Sequence, residues 1–367
     1  MTSKTALSVL AVAAAGLAAG AAQAQEEPVL NVYNWSDYIA EDTIEKFEAE
    51  TGIKVTYDVF DSNEVLETKL MAGSTGYDIV VPTGDFLARQ IAAEIYQPLD
   101  KSKLPNLENM DPELMGRLEA WDPGAEHAVV YMWGTTGIGY NVAKVEERLG
   151  ADAPTNSWAL IFDEANAAKL ADCGITLLDA PTEIISAAMN YLGLDPRSTE
   201  TEDIEKAEAL LKTISPHVRY FHSSQYINDL ANGDVCLSVG WSGDVFIARD
   251  RADEADNGVE IAYVIPDEGA LLWMDTLAIP ADAPHPENAH KFINFVMDAQ
   301  ITADITNYVW YANANTASLP LVDEEITSDP GIFPTEAAKK KLWTAVVYDA
   351  RTSRTVNRAW TSIKTGQ

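Results

Sequence analysis

The sequence predicts an α/β fold built as two compact lobes joined by strands. Three observations point there. Short β-branched segments alternate with capped amphipathic helices from Val29 onward, the rhythm of a parallel sheet with helices on both faces. No internal repeat or low-complexity linker interrupts the 367 residues, which argues against domains strung like beads. A glycine-rich strand, Gly134-Thr135-Thr136-Gly137-Ile138-Gly139-Tyr140-Asn141, separates two such regions and is a natural hinge.

Taken in order, Val29–Tyr33 is a short apolar strand. Asp42 caps a helix carrying Ile44 and Phe47 that stops at Gly52. Lys54–Val59 is β-branched, hence strand, and Ser62 caps a helix with Val65, Leu66, Leu70 and Met71 along one face. Tyr77–Val81 is a buried strand ended by Pro82, and Phe86–Ala93 is helical. The second region contains the apolar segment Trp158–Phe162, the helices Glu183–Leu192 and Glu202–Thr213, and the strand Cys236–Val239. A strand Asp275–Ile279 and a helix from Pro286 to Met297 come late. Sheets of this kind bind ligands beyond the carboxyl ends of their strands.

Composition limits the function. With 25 Lys+Arg against 57 Asp+Glu the formal charge is −32. Such a surface repels nucleic acid and anionic membranes, and favours a cationic ligand. Residues 1–24 read as a cleaved secretory segment: Lys4, an Ala/Leu/Val/Gly run from Ala6 to Ala21, and the small-x-small site Ala22-Gln23-Ala24. No other stretch approaches the roughly 20 apolar residues a spanning helix needs. The mature protein is therefore expected in an oxidising, extracytoplasmic compartment. There a Cys173–Cys236 disulfide and a pair of free buried thiols both remain open. Two thiols and five scattered His argue against a structural zinc site.

One pattern recurs at distant places: a Trp followed within two or three residues by an Asp. It appears as Trp35-Ser36-Asp37-Tyr38, Trp241-Ser242-Gly243-Asp244 and Trp273-Met274-Asp275, each at or near a predicted strand end. In an extended segment, residues two apart share a face. An indole beside a carboxylate suits an organic cation, since the ring packs on methylenes and its negative face attracts ammonium while the carboxylate pairs the charge. Signals for catalysis are thin. There is no Gly-x-Ser-x-Gly elbow, phosphate loop or His-Glu-x-x-His helix, and Gly134–Gly139 lacks dinucleotide spacing. His217, His222, His285 and His290 suit surface or capping roles, and Glu183 at a helix start suits the helix dipole. A binding protein without cofactor or metal is expected.

Longer blocks carry a resemblance. Asn34–Ile39, Phe60–Glu67, Lys69–Gly76, Thr135–Asn141, Ser223–Asp234 and Tyr311–Asn315 are similar to the periplasmic polyamine-binding proteins of ABC importers, closest to the putrescine receptor. The likeness spans Val29 to Gln367. It implies a type II periplasmic binding protein: two α/β lobes around a cleft, with chain crossings near Tyr131–Thr135, Ala262–Pro266 and Trp310–Thr316. The lobes would be 27–132 with 265–311, and 133–264 with 312–367. Implied cleft contacts are Trp35, Ser36, Asp37, Tyr38, Glu183, Trp241, Asp244, Trp273, Asp275 and Tyr311. Asp244 and Asp275 would hold one ammonium, and Asp37 and Glu183 the other end. Thr83 replaces a family serine, and Asp85 adds a carboxylate that could meet a third amine. Trp273 matches spermidine-preferring relatives, whereas Ala180 is putrescine-like. The implied partners are a putrescine or spermidine ligand and a membrane permease, with the protein a periplasmic monomer. A sugar receptor of similar fold, a secreted hydrolase using Asp244 and Asp275, and a polyamine sensor stay open as alternatives.

Overall fold

A computed structural model describes residues 26–366; the segment 1–24 expected to direct secretion lies outside them. Ten strands form one mixed sheet: β1 (Val29–Trp35), β2 (Lys54–Phe60), β3 (Ile79–Val80), β4 (Ala128–Asn141), β5 (Ile175–Leu177), β6 (Val218–Phe221), β7 (Leu237–Trp241), β8 (Ile261–Val264), β9 (Leu271–Ala278) and β10 (Ala312–Asn313). Their order is β2-β1-β3-β9-β4-β7-β5-β6, with β8 and β10 paired to β4.

The parallel expectation holds at both ends of the sheet, in β2-β1-β3 and in β7-β5-β6. It fails in the middle, where β4 and β9 run antiparallel to each other and to β7 and β3. These are the two long strands, and they pair from Ala128↔Ala278 to Thr136↔Leu271. Both expected capping positions are occupied, by different chemistry. Ser62 Oγ accepts from Val65 N–H, whereas Asp42 makes no cap bond and pairs with Lys46 at 3.0 Å. His222 Nδ1 accepts from the N–H groups of Ser224 and Gln225 at the start of helix Gln225–Ala231.

Buried apolar side chains fall into two clusters. The first gathers Leu30, Phe47, Ile79, Met132, Met274, Phe292 and Ile305. The second gathers Ile138, Trp158, Ile175, Ile184, Tyr226, Val239, Val356 and Ile363. Apart from Phe246, which packs in the first cluster between Val245 and Ile247 of the second, the chain changes cluster three times: between Trp133 and Ile138, between Ile261 and Leu271, and between Trp343 and Tyr348. The first two changes fall close to the expected crossings. The third comes some thirty residues later than Trp310–Thr316, since Ala312, Ala314, Val322, Ile326, Ile332 and Trp343 are buried in the first cluster and β10 pairs with β4. Segment 312–343 thus packs with the first cluster rather than with the lobe to which the sequence reading assigns it. Trp241, Tyr263 and Trp310 pack against both clusters. A Cys173–Cys236 disulfide, with Cα atoms 5.5 Å apart, ties the start of β5 to that of β7. Closing so long a loop contributes about 4 kcal/mol in the chain-entropy picture.

Candidate functional site

Two buried carboxyl groups anchor a cavity between the clusters. The first is Asp275. In β9, Trp273 and Asp275 are two residues apart and so project to one face. Asp275 accepts from Thr83 Oγ1 at 2.6 Å and from the Tyr38 hydroxyl at 2.9 Å. Thr83 stands just beyond β3, at the N-cap of helix Gly84–Ala92. It is fixed by Asn63, whose Nδ2 donates to Thr83 Oγ1 and whose Oδ1 accepts from the Thr83 N–H.

The second anchor is Asp244, in the first turn of helix Ser242–Glu254, which follows β7 directly. It accepts from the hydroxyls of Tyr226 at 2.8 Å and Tyr311 at 2.6 Å, and the Asp244 N–H returns a bond to Tyr311 at 3.0 Å. Gly243 makes that contact feasible, since a Cβ there would stand 2.4 Å from the Tyr311 ring. A third carboxyl, Glu183, lies in the first turn of helix Pro181–Tyr191. It accepts from Thr136 Oγ1 and from Trp241 Nε1. The remaining wall is aromatic. Trp35 meets Trp241 edge-on at 5.3 Å, Tyr38 meets Tyr311 edge-on at 5.0 Å, and Trp273 contacts Tyr311 at 5.3 Å.

Burial dominates the electrostatics. It pushes Asp244 and Asp275 up to about 7 and Glu183 to about 8, against the opposing pull of their hydroxyl and indole donors. Neighbouring carboxylates push the same way: Asp85 and Asp244 on Asp275, and Asp85 and Glu64 on Glu183. None of the three is in an ion pair among the described residues. A group of carboxyls that lost water and gained no cation suits cationic groups, because a bound ammonium supplies the missing charge.

The cavity is lined by Trp35, Ser36, Tyr38, Thr83, Glu183, Trp241, Asp244, Trp273, Asp275 and Tyr311 from the sequence prediction, together with Asn63. Two predicted residues stand elsewhere. Asp37 does not line it; the residue is in the left-handed region, φ 54°, and its carboxylate pairs with Arg251 at 2.5 Å. That ion pair joins the turn after β1 to the helix carrying Asp244, with both side chains about one-third exposed. Asp85 lies in an adjoining recess with Glu64, and this recess shares Trp35, Asn63, Thr83, Glu183, Trp241 and Trp273 with the main cavity. Burial raises Asp85 to about 6 and Glu64 to about 7. Sequence reasoning missed Asn63, Glu64 and the supporting Tyr226 and Thr136. Their roles depend on partners 18 to 47 residues away, for which spacing gives no signal. Among the described residues no grouping of three or more His, Cys, Asp or Glu could hold a metal ion, and no helix is long and apolar enough to cross a membrane.

Residues 42–335 match the family model described as bacterial extracellular solute-binding protein. The chain is 54% identical over 359 residues to the putrescine-binding periplasmic protein SpuD of Pseudomonas aeruginosa, covering 98% of both chains. It is 52% identical over 360 residues to the putrescine-binding periplasmic protein PotF of Escherichia coli, covering 96% of this chain and 97% of that one. Among solved structures, a protein described as a spermidine/putrescine ABC transporter from Listeria monocytogenes superposes with a TM-score of 0.82 at 32% identity, over 93% of this chain and all of that one.

Proposed function

We propose that this chain, which belongs to the bacterial extracellular solute-binding protein family, is a receptor that captures a polyamine between its lobes and hands it to an ABC permease. Its fold is the mixed α/β type II architecture of periplasmic binding proteins. One observation carries the reading: Asp244 and Asp275, each held by two hydroxyl donors, face one aromatic-walled cavity from different lobes. A flexible dication loses its hydration on entry, and only paired charges offset that loss. Asp244 and Asp275 take ammonium, Glu183 serves the far end, and the rings of Trp35, Trp241, Trp273, Tyr38 and Tyr311 enclose the methylenes. Aromatic faces add roughly 0.5–2 kcal/mol each where desolvated. Closure of the lobes buries the ligand, and the closed form is what the permease recognises. The chain acts by binding, as a periplasmic monomer exported through residues 1–24, and carries no catalytic step.

Calorimetric titration with putrescine, cadaverine, spermidine and spermine tests this, with an oligosaccharide as the neutral comparison. Saturable binding of at least one polyamine, recovered chemically intact, is expected. Heat and a thermal-midpoint rise with the oligosaccharide alone would overturn the proposal.

A further inference from the structure

The helix Ala350–Thr365 buries Val356, Ala359, Trp360 and Ile363 in the second cluster. Its outward face carries Arg351, Arg354 and Arg358, all exposed. Spacings of three and four residues align them in one stripe about 10 Å long. No carboxylate of the described residues lies within ion-pair distance of any of the three. Of the seven other arginines five are ion-paired, Arg89 with Glu67, Arg117 with Glu113, Arg148 with Asp172, Arg249 with Asp329 and Arg251 with Asp37, while Arg219 donates to the backbone carbonyls of Asp234 and Asp172 and Arg197 is exposed without an ion pair among the described residues. With 57 acidic against 25 basic residues, three exposed arginines in a row, with Asp349 at the helix N-cap as the acidic neighbour of Arg351, are uncommon on this surface.

The stripe also has a definite place in the fold. On one side it borders a recess with hydroxyl groups from Thr201, Thr355, Thr361 and Ser362. On the other, Ala350, Ser353, Val356 and Asn357 of the same helix face Glu64, Glu67 and Arg89 of the first lobe across a second recess. Asn357 borders both. The second recess is made by both lobes, so its shape changes when they move relative to one another.

We propose that this arginine stripe is a docking face for an acidic segment on the outer surface of the membrane permease, and that the adjoining two-lobe recess makes docking sensitive to closure. Guanidinium forks match carboxylates in two-bond geometry. A lipid surface fits less well. An anionic bilayer extends over the whole facing side and meets the repulsion of a chain at −32, whereas one short acidic segment meets only the stripe. The inference rests on the delivery reading above, and the experiment separates the two.

The protein and its R351E/R354E/R358E variant are compared in three measurements. These are putrescine titration, stimulation of ATP hydrolysis by the cognate permease–ATPase complex in nanodiscs, and cosedimentation with phosphatidylcholine/phosphatidylglycerol vesicles. Expected are unchanged putrescine affinity and thermal midpoint, since the stripe lies outside the cavity. The concentration of receptor needed for half-maximal ATPase stimulation should rise about tenfold or more. R351K/R354K/R358K, which keeps charge but loses the forks, should fall between the two. A triple-Glu variant that stimulates as well as the parent overturns the docking face and leaves delivery standing. A parent that binds putrescine yet never stimulates the ATPase overturns both. Vesicle binding by the parent that the Glu variant loses assigns the stripe to lipid and overturns the proposal.

Discussion

Replacing Asp275 by Asn keeps the shape of the carboxyl and its two hydroxyl neighbours, and removes only the charge. A charge-assisted hydrogen bond contributes about 1.5–3 kcal/mol, so losing it weakens putrescine binding about 10- to 150-fold. Part of that loss is offset. With Asp275 pushed up to about 7, the native carboxyl must shed its proton to receive ammonium at neutral pH, which costs about 0.4 kcal/mol. At pH 8 this cost disappears and the gap between native and variant widens. The ligand-free protein responds in the opposite sense. A carboxyl raised from 3.8 to about 7 by burial costs the folded state about 4 kcal/mol once ionised at pH 8, and Asn does not ionise. The variant without ligand should therefore melt no lower than the parent at pH 8, while its putrescine-induced midpoint rise shrinks. Calorimetric titration and thermal unfolding at pH 6 and pH 8 read both effects. Unchanged affinity, or a ligand-free variant that melts well below the parent at pH 8, would refute the assignment of Asp275 as a charge partner held in wait.

Three more predictions concern the same cleft. Asp244, Asp275 and Glu183 have folded pKa values raised above their unfolded ones, so ligand-free stability falls as pH rises from about 4 to about 8, and putrescine affinity rises over the upper part of that window. Titrations at pH 6.5 in buffers of different ionisation enthalpy should show net proton release, and the absence of any release counts against buried carboxyls as the ligand's partners. Arg251→Ala removes the one-third-exposed bond to Asp37 that joins the lobes; at about 0.2–1 kcal/mol for such a pair, stopped-flow dissociation should speed up by about 1.4- to fivefold, and a loss above a hundredfold would place Asp37 on the ligand itself. Asp85→Ser removes a recess carboxyl and should lower spermidine affinity relative to putrescine, measured as the ratio of the two dissociation constants.

What the sequence made legible was local. Trp273 and Asp275 face one cavity because strands alternate their side chains, and that follows from spacing alone. Trp241 and Asp244 do so because a strand hands over to a helix within three residues. What it hid was long-range. Nothing in residues 60–65 announces that Asn63 will clamp Thr83, and nothing near position 226 announces the hydroxyl that holds Asp244. Asp37 reads as a third member of the Trp–Asp set, yet one left-handed residue turns its carboxylate away toward Arg251. Strand direction was equally opaque in the middle of the sheet. The βαβ rhythm constrains neighbours joined by helices, whereas β4 and β9 are 130 residues apart and meet antiparallel.

The same burial that raises the carboxyls explains how such a cleft can select for charge number. A monoamine held by Asp244 and Asp275 leaves Glu183 at the far end either ionised without a charge partner, at about 1–3 kcal/mol or more, or protonated. A neutral sugar satisfies neither, and the hydroxyl donors already engaged by Thr83, Tyr38, Tyr226 and Tyr311 leave the carboxyls little need of further neutral ones. A dication of sufficient length meets the Asp244–Asp275 pair and Glu183 at once. Asp244 and Asp275 stand on different lobes, so an ammonium between them favours the closed arrangement over any open one in which the carboxylates regain water. Closure and charge counting then rest on different carboxyls: Asp244→Asn and Asp275→Asn should each reduce ligand-induced compaction measured by small-angle X-ray scattering, whereas Glu183→Gln should narrow the affinity gap between putrescine and a monoamine of matched length. Full compaction in both Asn variants, or an unchanged affinity gap in Glu183→Gln, would break the argument.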